Sequence, residues 1–170
     1  EIAVRTIFNV LGPLTNPASA PHQLLGVFSP TLVEPLAHAL GKLGSTRAYL
    51  VHGADGLDEV SLSAETHVAE LRDGEVRVYT VAPEDFGFQR AEPTALEGGT
   101  PRENAATLRA VLDGEKGPSR DVIVLNAGFA LAASGNAPTP AEGIEQAGRA
   151  IDSGAAARKL EELARTTTAG

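Results

Sequence analysis

The sequence predicts an α/β fold in which a mixed, largely parallel sheet is flanked by helices. Three observations carry this. Two short apolar runs enclose a helix-periodic segment between residues 23 and 52, a second pair of runs alternates apolar and polar residues around Asp73-Gly74, and the last 70 residues are punctuated by helix caps. There is no internal repeat.

The elements follow in chain order. Gln23 to Phe28 is a short apolar run closed by Ser29-Pro30 and reads as a buried strand. Leu32, Leu36, Ala37, Leu40 and Leu43 then recur at helical spacing up to Gly44, which predicts a helix over 31–43 packed on the sheet. Pro35 is compatible with that helix only in its first turn, and His38 falls on its outer side. Arg47 to His52 returns as a strand. Strand, helix, strand in that order implies a right-handed parallel crossover.

Residues 66–71 and 76–81 alternate in character around Arg72-Asp73-Gly74-Glu75, and Asp73-Gly74 favours a tight hairpin. Thr100-Pro101-Arg102-Glu103 and Thr139-Pro140-Ala141-Glu142 both read as capping boxes with proline at the first helical position. Ile144, Ala147 and Ile151 continue the second of these helices. Ala156, Leu160, Leu163 and Ala164 mark another, and the threonine-rich end beyond it is expected to fray. Val122 to Leu125 opens like a strand, yet the alanine-rich continuation to Ala133 favours a buried helix from about 121 to 134. Asn126 within it reads as a satisfied core polar group.

Composition bounds the function. The 170 residues are 42% apolar and 21% charged, the globular range, and are expected to form a single α/β domain. Cysteine is absent, so no thiolate chemistry is available, and the composition fits a reducing cytoplasm. No apolar run approaches the roughly 18 residues of a membrane span. The net charge of −8 argues against nucleic acid, where lysine and arginine must neutralise phosphates. An acidic protein that takes a polyphosphate must bridge like charges with a metal or confine its cations to a local patch.

Two segments carry chemistry. Arg5-Thr6-Ile7-Phe8-Asn9-Val10-Leu11-Gly12-Pro13-Leu14-Thr15-Asn16-Pro17 sets a fixed cation beside a proline-stiffened loop. Val51-His52-Gly53-Ala54-Asp55-Gly56-Leu57-Asp58-Glu59 ends an apolar strand in a glycine-rich turn bearing adjacent carboxylates. On a strand Asp58 and Glu59 would point to opposite faces, whereas on an irregular turn they can converge. Magnesium prefers such oxygens and keeps waters beside substrate phosphates. By pattern alone the pair reads equally as a solvated turn. Arg5 reads first as a snorkelling surface residue, with bidentate pairing to a planar carboxylate as the alternative. His22, His38, His52 and His67 form no metal-ligand spacing. His52 is placed either in the core or behind the acidic turn.

The run from Arg5 to Pro17, then His52-Gly53 with Asp58-Glu59, then Glu97-Gly98-Gly99 with Glu103-Asn104-Ala105, resembles the C-terminal half of the anthranilate phosphoribosyltransferase family over essentially the whole chain. The resemblance implies a nucleoside phosphorylase/phosphoribosyltransferase-like C-terminal domain, helical in its tail. It implies transfer of a phosphoribosyl group from phosphoribosyl pyrophosphate (PRPP) to anthranilate in tryptophan biosynthesis, with Asp58 and Glu59 binding Mg2+ and Arg5 contacting anthranilate. A cytoplasmic homodimer is implied for the complete enzyme, along with an upstream helical domain, a Gly-Thr-Gly-Gly-Asp pyrophosphate turn and a Lys-His-Gly-Asn segment that these 170 residues lack. The fragment alone is therefore expected to be inactive. The alternatives are a pyrimidine-nucleoside phosphorylase-like enzyme, which has no need of the acidic pair, and a non-catalytic nucleic-acid-binding relative.

Overall fold

The computed structural model of the protein describes residues 12, 14, 15 and 19–168. Its sheet has four strands in the order β1-β2-β3-β4, formed by His22–Gly26 (β1), Arg47–Gly53 (β2), Thr66–Arg72 (β3) and Glu75–Val81 (β4). β1 pairs with β2 in parallel, and the two later pairings are antiparallel. The sheet is thus mixed, as expected, but only its crossover junction is parallel among the described residues. The hairpin supplies the rest, because Asp73 and Gly74 both take the positive φ that a two-residue turn of this twist demands (52° and 86°).

Between β1 and β2 a single 3-10 turn at Pro30–Leu32 leads into helix α1, Val33–Lys42. Pro35 is its third residue, where no intrahelical amide is lost. His38 is exposed and stands 3.9 Å from Glu34. α1 buries Val33, Leu36, Ala37 and Leu40 against Ala48, Leu50, Ala69 and Leu71 on one face of the sheet. On the opposite face Tyr49, Val51 and Val68 meet the remaining helices. The alternation of Ala48 and Leu50 with Tyr49 and Val51 is the period of two that a strand buried on both sides requires.

Those helices are α2 (Pro101–Leu112), α3 (Pro118–Ala133), α4 (Pro140–Asp152) and α5 (Ala155–Thr168). Residues 122–125 are helical, within α3. Thr100 caps α2 reciprocally: its Oγ1 accepts from the Glu103 amide at 3.3 Å, and its own amide donates to Glu103 Oε2 at 2.7 Å. At Thr139 only half of the expected box forms. Its Oγ1 accepts from the Glu142 amide, while its hydroxyl, not its amide, meets the Glu142 carboxylate. α5 runs on to Thr168, with Thr166 and Thr167 bonding back to the carbonyls of Glu162 and Leu163, while Ala169 and Gly170 of the end expected to fray lie outside the described residues. α3 and α4 pack in backbone contact at Gly128 and Gly143 and are bridged by an Arg120–Asp152 ion pair of 2.7 Å. No helix among the described residues is long and apolar enough to cross a membrane.

Candidate functional site

The chain leaving β2 makes an irregular excursion from Gly53 to Thr66, fixed by its own short polar contacts. The Gly53 amide donates to the Leu57 carbonyl at 2.8 Å, and Gly56 turns the chain back with φ of 95°. Asp55 organises the interior of the loop: Oδ1 accepts from the Leu57 amide at 3.3 Å and Oδ2 from the Ser61 hydroxyl at 2.5 Å. Ser61 Oγ in turn accepts from the amides of Ser63 and Ala64. Asp55 is therefore committed to structure.

Asp58 and Glu59 are not. Both are exposed, and neither has a hydrogen bond or ion pair among the described residues. Both line one open recess of about 420 Å³, whose apolar lining comes from Leu24 of β1, Val51 of β2, and Val122 and Ile123 of α3. The irregular turn thus places both acidic residues at the border of the same recess. Among the described residues no side chain or backbone group engages either carboxylate.

Two residues that sequence reasoning did not assign to the site hold this segment. Gly26, at the end of β1, lies so close to Asp58 that a Cβ there would stand 1.5 Å from the Asp58 carbonyl oxygen. Asn126 of α3 accepts from the Val60 amide through Oδ1 at 2.9 Å and donates through Nδ2 to the Val60 carbonyl at 2.9 Å. A polar residue inside an apolar helix was the available signal for Asn126. For Gly26 there was only a glycine closing an apolar run.

His52 is buried at the end of β2. Its Nδ1 lies 2.7 Å from the carbonyl oxygen of Val27, and since a carbonyl can only accept, Nδ1 carries the proton. The ring ties β2 to the chain leaving β1, so its role is behind the acidic turn and not as a ligand. Arg5, the expected carboxylate-binding cation, lies outside the described residues, as does most of the run from Arg5 to Pro17. A second recess, of about 310 Å³, opens between α2 and the start of α3. Its Lys116 and Arg120 both pair with Asp152 Oδ1, at 3.2 and 2.7 Å.

Among the described residues no three acidic, histidine or cysteine side chains converge as a self-contained metal cage. Two carboxylates without partners among the described residues, beside an open cavity, instead match a hard cation that completes its shell with water and with ligand oxygens.

A family model described as "Glycosyl transferase family, a/b domain" matches residues 1–157. The chain is 57% identical over 163 residues, 96% of its length, to anthranilate phosphoribosyltransferase of Thioalkalivibrio sulfidiphilus, of which it covers 48%. Among solved structures, anthranilate phosphoribosyltransferase from Thermus thermophilus matches with a TM-score of 0.86 and 46% identity, over 94% of this chain and 47% of that one. The Saccharomyces cerevisiae enzyme in complex with PRPP and Mg matches with a TM-score of 0.87 and 32% identity, over 98% of this chain and 48% of that one. The chain thus spans about half the length of the relatives it matches.

Proposed function

The chain belongs to the glycosyl transferase family through its a/b domain, and on that premise we propose that the complete protein transfers the phosphoribosyl group of PRPP to the amine of anthranilate. The products are N-(5-phosphoribosyl)anthranilate and pyrophosphate, in tryptophan biosynthesis. The names of the similar proteins support this choice of substrates. The observation in this chain that carries it is the placement of Asp58 and Glu59, exposed, without internal partners among the described residues, and on one recess.

In this reading Asp58 and Glu59 hold Mg2+, which suits their chemistry because a hard cation takes carboxylate oxygens and keeps sites for water and phosphate. The ion, when bound, offsets the negative charge that builds on the departing pyrophosphate. Leu24, Val51, Val122 and Ile123 give the recess an apolar wall opposite the polar pair. Arg5 pairs with the anthranilate carboxylate and turns the amine toward the sugar carbon under attack. That amine is already nucleophilic, so no strong general base is demanded of the chain.

The same reading makes these 170 residues one α/β unit of a longer polypeptide, since the relatives are about twice as long. It assigns the complete protein to the cytoplasm as a homodimer, and the net charge of −8 disfavours nucleic acid as a partner.

The test is to assay the complete protein for phosphoribosylanthranilate and to measure both Michaelis constants in Arg5→Ala. A charge-assisted pair removed should raise the KM for anthranilate about ten- to a hundredfold and that for PRPP far less. No product from the wild-type protein overturns the reading; an equal rise in both constants removes Arg5 from it.

A further inference from the structure

We propose that Asn126 is a positioning residue for the acidic pair: by holding both backbone groups of Val60, it sets where the Asp58 and Glu59 carboxylates stand in the recess. The inference rests on the magnesium reading above.

Val60 is 1% exposed, whereas its neighbour Glu59 is on the surface, so the chain dives into the core immediately after the pair. It does so outside any strand, and a buried amide and carbonyl without ladder partners must find others. The Asn126 side chain serves both, accepting from the Val60 amide at 2.9 Å and donating to the Val60 carbonyl at 2.9 Å. Its second amide hydrogen goes to the Val122 carbonyl one turn earlier in α3, at 3.0 Å, which fixes the rotamer. Three of the four hydrogen-bonding capacities of the amide are thereby used.

The geometry is that of a splint. On one side of Glu59, the Asp58 carbonyl rests against Gly26 at the end of β1; on the other, Val60 is held by α3. Asp58 carries its carboxylate at the first anchor, and Glu59 is the single residue spanning the two. Asn126 also lines the recess itself, so the group that holds the backbone borders the same space as Asp58 and Glu59. Groups that orient metal ligands from behind commonly alter metal affinity by about ten- to a hundredfold when removed. A half-buried asparagine serving stability alone would leave that affinity unchanged in the folded protein.

The experiment uses the complete protein with Asn126→Ala and Asn126→Asp, the latter keeping an acceptor for the Val60 amide while losing the donor. Two readouts are taken: amide hydrogen exchange across residues 57–61 against β2, and the affinity for Mn2+ in the presence of pyrophosphate, measured by electron paramagnetic resonance. Asn126→Ala is expected to speed exchange at 57–61 selectively and to weaken Mn2+ about ten- to a hundredfold, with Asn126→Asp between it and wild type. If Asn126→Ala does not fold, Asn126→Asp decides by the same readouts. Unaltered Mn2+ affinity in folded variants overturns the proposal, as does exchange at 57–61 that keeps its wild-type rate. Asp58→Asn with Glu59→Gln separates the two claims. Loss of Mn2+ there but not in the Asn126 variants sinks the positioning role alone, and no loss in either sinks the magnesium reading and this inference with it.

Discussion

Gly26 and Asp58 touch backbone to backbone: a Cβ on Gly26 would stand 1.5 Å from the Asp58 carbonyl oxygen and 2.5 Å from its carbon. The first acid of the pair rests on the bare end of β1, an approach that only a residue without a side chain permits.

Gly26→Ala must therefore push the Asp58 segment away from the sheet. Overpacking of this kind costs about 1–3 kcal/mol, and the displaced carboxylate should bind Mn2+ more weakly. Thermal unfolding and a Mn2+ titration check the two effects. Unchanged values for both would mean that the loop yields without cost and that its contact with β1 places nothing.

A similar approach joins α3 and α4. A Cβ on Gly128 would lie 2.4 Å from Ile144 Cγ1 and 2.7 Å from the Ile144 amide nitrogen, and one on Gly143 would lie 2.2 Å from the Gly128 carbonyl oxygen. Gly128→Ala should destabilise by about 1–3 kcal/mol. Gly148→Ala on α4 meets nothing nearer than 3.9 Å, and should stabilise by up to about 1 kcal/mol through helix propensity. Denaturant unfolding of the two variants should give shifts of opposite sign.

How much of this was legible in the sequence depended on how local each signal was. The Asp73-Gly74 turn and the Thr100 cap each declare themselves within four residues, and the structure bears out both. The crossover from β1 through α1 to β2 was readable from the change of period, 2 to 3.6 and back. Among the described residues the parallel share of the sheet is smaller than expected, because a hairpin at 66–81 adds two antiparallel junctions to one parallel one. The splint around the acidic pair was out of reach. Val60 and Asn126 are 66 positions apart, and nothing in local period or composition marks an asparagine as the partner of a distant loop. Asn126 was correctly read as satisfied, but by whom depends on the fold. Half of the Thr139 cap failed for the reverse reason: the pattern fixes which residues can cap, and the rotamer of Glu142 decides whether they do.

The two tyrosines offer a spectroscopic check of the sheet. Tyr49 donates to Glu70 Oε1 at 3.1 Å and Tyr79 to Oε2 at 3.4 Å, so both phenols share one carboxylate. Burial first, and then the negative charge of Glu70, push both well above the ordinary value of 10.0. The fold thus favours the neutral phenols. Their contribution to stability is complete below pH 10 and lost as pH rises toward the folded values. Since the chain contains only these two tyrosines, tyrosinate absorbance should appear at distinctly higher pH in the native protein than in denaturant. Coincident titrations would remove the Glu70 pairing.

The proposed magnesium site of the phosphoribosyl transfer is the pair Asp58 and Glu59. Its most direct test is the Mg2+ dependence of phosphoribosylanthranilate formation by the complete protein, with Asp58→Asn and Glu59→Gln combined. The account predicts a folded double variant whose rate falls on the order of a hundredfold or more and whose Mg2+ curve moves to markedly higher concentration. Superimposable wild-type and variant Mg2+ curves would contradict it.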